Sequence, residues 1–155
     1  MTVTIDGASI RSIALGVLVT RATSTLPAGG NDLALFTITG GRILLVGLAG
    51  EVTTVIQTQA NATKIKLNPT ATGVDQDLCA TLDITADAVG EQYTISGSVG
   101  DAMRSDLLIE NGKLQEPLIL SEGDLELTCA ATNSGSVQWD MVYVPWDAGA
   151  TVAAA

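Results

Sequence analysis

The sequence predicts an all-β fold, an antiparallel β-sandwich or barrel of jelly-roll type with about nine or ten short strands. Three observations carry that prediction. Sixteen glycines, frequent threonines and a charged fraction of only 15% favour strands and turns over helices. Apolar residues make up 46% of 155 residues, enough for one aliphatic core, while aromatics amount to two Trp, two Tyr and one Phe. Short alternating segments also recur at regular spacing, with turn residues between them.

Taken in order, residues 10–20 contain Ile10, Ile13, Val17 and Val19, whose β-branching favours a strand despite Gly16. "LPAGGND" (26–32) has turn chemistry, and "LALFTITG" (33–40) reads as the next strand. "RILLVGLA" (42–49) is apolar on both faces, as a fully buried strand is. Gly50-Glu51 then reads as a turn into the Thr-rich strand 52–60. In "ATKIKLNP" (62–69), Ile65 and Leu67 alternate with Lys64 and Lys66, so the lysines are expected on a solvated strand edge, and Pro69 ends the run.

Residues 70–76 form a loop, and "DLCATLDIT" (77–85) places Leu78, Ala80, Leu82 and Ile84 on one face. "ADAVGE" holds at most a helical turn before a strand at 92–99. Asn111-Gly112, between two apolar runs in 107–120, suits a type I′ hairpin because both residues accept positive φ. Residues 124–131 turn Leu125, Leu127 and Cys129 inward, and 133–135 lead to the last strand.

That strand, "SVQWDMVYVPW", concentrates the aromatics. Val137, Trp139, Met141 and Tyr143 share one face; Gln138, Asp140, Val142 and Val144 share the other. Pro145 lacks the N–H needed to continue regular pairing. Trp139 and Tyr143 suit the core. Trp146 lies beyond the proline and outside the alternation, as an anchor against another subunit would. Trp146, Tyr143 and Trp139 are accordingly the candidate subunit-interface residues. The chain reads as one β domain over 1–155, with an N-terminal arm (about 1–9) and a small-residue C-terminal tail (about 146–155) reaching neighbouring subunits.

Chemistry is sparse. The chain has no histidine, which removes the commonest general base and metal ligand. Gly29-Gly30 and Gly40-Gly41 match no phosphate-cradling loop, and no serine lies in a GxSxG elbow. Cys79 and Cys129 lack CxxC spacing and read as buried free thiols. Asp75/Asp77, Asp83/Asp87 and Asp124/Glu126 are carboxylate pairs that read as solvated loops; calcium at 75–77 or 83–87 is the alternative. No catalytic residue, cofactor or metal ligand is assigned, and the expected protein is not an enzyme. A net charge of −10 repels phosphate backbones, which argues against nucleic acid as a partner. The apolar run 12–19 is too short to cross a bilayer and lacks the features of a signal peptide, so no membrane partner is expected.

"GGRILLVGLAGEVTTVIQTQANATKIKLNPT", "DLCATLDITADAVG" and "GSVQWDMVYVPWDAGATVAAA" together resemble small structural proteins of tailed-bacteriophage heads and tails. In size, β content and acidity the chain is most similar to the capsid decoration (cement) proteins; residues 1–39 fall outside the resemblance. The resemblance implies a homotrimer on the outer capsid surface of a virion assembled in the host cytoplasm, clamping subunits of the major capsid protein. A tail, connector or fibre-associated protein, or a carbohydrate- or receptor-binding sandwich, is the alternative.

Overall fold

A computed structural model describes residues 7–71, 73–107 and 113–155. Twelve strands occur among them, more than the sequence suggests, because irregular stretches contribute several strands of two or three residues. The longer strands in chain order are β1 (Val17–Thr25), β2 (Asp32–Thr39), β3 (Ile43–Thr54) and β4 (Ala62–Pro69). Four short ones follow: β5 (Gln76–Asp77), β6 (Leu82–Asp83), β7 (Gln92–Thr94) and β8 (Arg104–Asp106). Then come β9 (Lys113–Leu120), β10 (Gly123–Cys129), β11 (Ser136–Pro145) and β12 (Thr151–Ala154).

They form two antiparallel sheets. In sheet A, β1, β11 and β3 are successive neighbours, with β9 on one half of the far edge of β3 and β7 on the other. In sheet B the order is β12-β2-β10-β4, with β5 and β6 beyond β4. Successive long strands therefore alternate between sheets. The order β1-β11-β3-β9 facing β2-β10-β4-β5 is that of a jelly roll, with β12 added outside β2. The expected fold class is what forms.

The inner faces close over an aliphatic core. Ile43, Leu45, Val52, Ile65, Leu125 and Cys129 are at most 1% exposed. A bulge on β2, where the register to β10 shifts, turns both Leu35 and Phe36 inside.

Several local expectations are corrected. Residues 10–15 belong to helix α1 (Gly7–Leu15), not to a strand, and β1 begins only at Val17. Ala8, Arg11, Ala14 and Leu15 are good helix formers, and no strand pairs with this segment. Gly50-Glu51 is no turn, since β3 runs straight through it to Thr54. Of the expected strand 77–85 only Asp77 (in β5) and Leu82–Asp83 (β6) are paired as strand, and Ala80 is exposed. The Asn111-Gly112 turn lies outside the described residues. The C-terminal segment is part of the domain, because β12 pairs with β2 from Thr151↔Thr39 to Ala154↔Phe36.

Candidate functional site

The aromatic strand resolves into two environments. On β11, Val137, Trp139, Met141 and Tyr143 are 1%, 0%, 0% and 5% exposed, as the alternation requires. Trp139 stacks on Tyr93 of β7, with ring centroids 6.3 Å apart, and its indole lies over Gly50 in register on β3. Tyr93 donates its hydroxyl hydrogen bond to Asp87 at 2.7 Å. The Tyr143 hydroxyl accepts from the Val152 N–H at 3.3 Å, which ties β12 to the core. Of the three candidate interface residues, only Trp146 offers surface, at 53% exposure.

Trp146 is held at one end of the sandwich. Its N–H and that of Asp147 both donate to the Arg42 carbonyl, at 3.0 and 3.1 Å. Arg42 returns a bidentate pair through Nε and Nη2, each 2.8 Å from an Asp147 carboxylate oxygen, and its own N–H adds a third bond at 2.9 Å. These hydrogen bonds, side chain first and backbone second, pull the Asp147 carboxyl down to about 2. The approach is so close that a Cβ on Gly41 would lie 2.7 Å from the Asp147 Cβ, and one on Gly40 would lie 2.4 Å from the Gly149 carbonyl oxygen. Both glycines also sit at positive φ, so this pair serves chain packing. Beside the clamp, the β2–β3, β4–β5 and β9–β10 connections open a cleft of about 250 Å³, lined by Gly41, Arg42, Thr70, Ala71, Ser121 and Glu122.

The outer faces of the two sheets differ sharply. Sheet B is laced with ion pairs. Lys64 reaches Asp77 at 2.7 Å, and Lys66 reaches Asp32 at 2.6 Å, Glu126 at 3.4 Å, and Asp75. Lys66 is thus not a solvated edge residue: β4 lies between β10 and β5, and the side chain is 7% exposed beneath three carboxylates. Burial alone would lower the Lys66 ammonium. Hydrogen bonds to Asp32 and Asp75 outweigh it and hold the group above its ordinary value. Asp32, Asp75 and Glu126 lie within 4.8 Å of one another, near enough to share an ion, and the Lys66 ammonium supplies that positive charge.

The other carboxylates singled out in the sequence also have structural partners. Asp83 accepts from the Asn61 N–H at 2.8 Å and the Thr85 hydroxyl at 2.6 Å, and Asp124 accepts from Thr37 at 2.7 Å. Cys79 and Cys129 are free, buried thiols, and burial raises the pKa of both. Neither is poised as a nucleophile.

Thr20, Gln138 and Asp140 make one part of the exterior of sheet A polar, and an aliphatic patch occupies the rest. Leu18 on β1 lies opposite Val142 on β11, and Val144 on β11 lies opposite Leu44 on β3, which lies opposite Ile119 on β9. Leu18 and Ile119 are 62% and 50% exposed, and the other three are half-buried. Val142 and Val144 could be placed on the outward face from alternation. Their neighbours could not, because they come from three other strands. No family model, curated protein or solved structure matches this chain.

Proposed function

We propose that this chain is a non-enzymatic virion protein that decorates and stabilises a bacteriophage capsid, docking the aliphatic part of the outer face of sheet A onto the major capsid protein. The observation that supports the reading is the uncharged aliphatic patch of Leu18, Leu44, Ile119, Val142 and Val144 on a chain of net charge −10. A contiguous exposed apolar patch marks a protein-binding surface. An acidic protein meets least repulsion, and loses least hydration of charge, where it carries no ionised group. Sheet B, with its network of lysines and carboxylates, suits the solvent side.

The lattice itself is named by the sequence resemblance, which also implies a homotrimer on the capsid exterior. Leu18→Glu places a charge in the patch without opening the core, since Leu18 is 62% exposed. Co-sedimentation with expanded heads tests the reading. Wild type should pellet with heads, and Leu18→Glu should stay in the supernatant while melting normally. Wild type that fails to pellet, or a Leu18→Glu variant that pellets equally well, refutes it. Sedimentation equilibrium should give a trimer.

A further inference from the structure

Two buried N–H donors without an acceptor belong to cross-strand neighbours on the inner face of sheet A, and capsid docking uses neither. We infer that Arg21 and Trp139 form a binding site for a small monovalent anion of the halide class, enclosed at the β1 edge of the sandwich.

Arg21 lies on β1, the edge strand of sheet A. Val17 and Val19 pack on the core, so alternation turns the Arg21 side chain into the sandwich with them, and it is 9% exposed. Its Nη1 donates to the Ser24 Oγ, while its Nε is buried with no acceptor. No ion pair joins it to a carboxylate among the described residues. Acids are not scarce, since the chain has 17 against seven basic residues, and Lys66, also buried, has three of them. A buried charge is ordinarily paired, and Arg21 lacks its counter-charge.

Trp139 supplies the second donor. It lies directly opposite Arg21 in the β1–β11 register, which makes the two side chains neighbours on one face. The indole is 0% exposed, and its Nε1 is also buried with no acceptor. Its Cε3, Cζ3 and Cη2 edge lies against Gly50 of β3. Nε1 is on the opposite edge of the ring, away from β3, and β1 flanks β11 on that other side. A water molecule would satisfy the two N–H groups and leave the guanidinium uncompensated; an anion answers both needs. One guanidinium balances one negative charge, and the enclosure favours a small ion over an oxyanion of higher charge. The β1 register shifts between Arg21 and the half-buried Ser24, which gives the site an opening at the sandwich edge.

Trp146→Phe removes the exposed indole and leaves Trp139 as the sole tryptophan, a reporter beside the site. Sodium bromide is titrated into this protein while sodium gluconate holds the ionic strength constant. Bromide should quench Trp139 emission along a saturating curve, and chloride should reverse the quenching. Arg21→Met exchanges a buried unpaired cation for an apolar chain, so it should fold at least as stably and lose the saturable quenching. Arg21→Lys keeps the charge without the Nε–H and should bind bromide about tenfold more weakly. In crystals grown in bromide, an anomalous peak should lie between Arg21 Nε and Trp139 Nε1. The proposal fails if quenching is absent or rises linearly with bromide, if it survives Arg21→Met, or if no peak lies between those atoms. It also fails if bromide binds only once dilution has separated the subunits, a result that makes a neighbouring copy's carboxylate the occupant. Every measurement is made without heads, so failure here leaves capsid docking standing.

Discussion

Gly50→Ala should destabilise the protein, although glycine in mid-strand is usually a weakness. Gly50 does not have the positive φ that would exclude alanine. On backbone entropy alone the substitution should therefore stabilise by about 0.4–1 kcal/mol. The tertiary structure reverses that sign. A Cβ at Gly50 would come 2.9 Å from two ring carbons of Trp139 and 3.0 Å from a third. The indole is 0% exposed and braced by Tyr93, so it has nowhere to retreat. Overpacking of this kind costs about 1–3 kcal/mol. Set against the entropic gain, the net cost reaches about 2.6 kcal/mol, and at about 2–4 °C per kcal/mol for a domain of this size the melting temperature falls by up to about 10 °C.

Urea unfolding followed by circular dichroism measures the effect in wild type and in Trp139→Leu. In the leucine background the obstructing ring is gone, and Gly50→Ala should be neutral or slightly stabilising. The coupling, of at least about 1 kcal/mol, isolates the indole contact. A stabilised Gly50→Ala protein, or equal cost in both backgrounds, would refute the packing argument.

The two tryptophans should separate cleanly: Trp139→Ala should cost about 3–5 kcal/mol and Trp146→Ala less than about 0.5 kcal/mol. Equal melting temperatures for the two variants would contradict the burial difference. Cys79 and Cys129 should take up iodoacetamide only after denaturation and without prior reductant, as intact mass before and after unfolding will report. Asp147 has a folded-state pKa of about 2, below its unfolded value, so its contribution to stability is full above about pH 4. That contribution should be lost as pH falls through about 2. A carboxyl NMR titration should show the low value in wild type and an ordinary one in Arg42→Ala; an ordinary value in wild type would mean that the clamp does not form in solution.

Where a segment alternates strongly, its environment was legible without the fold. Val137, Trp139, Met141 and Tyr143 face inward, as do Ile65, Leu67, Leu125, Leu127 and Cys129, because alternation along a strand is a local property of the chain. The all-β jelly-roll class followed from the recurrence of such segments. Gly50 was misread for an equally physical reason. A glycine between apolar runs signals a turn locally, and only the pairing of β3 with β11 brings Trp139 over it. The C-terminal segment has side chains too small to carry a pattern, so β12 is decided by the edge that β2 offers and by the Tyr143 hydroxyl.

Lys66 likewise looked solvated until the fold set Asp32, Asp75 and Glu126 around it. The candidate docking surface belongs with these cases, because the patch draws its residues from four strands. Residue order dictates which way each side chain points. Which strands become neighbours depends on backbone hydrogen bonds that every sequence can make, so only simultaneous closure of the two sheets over one core selects among them.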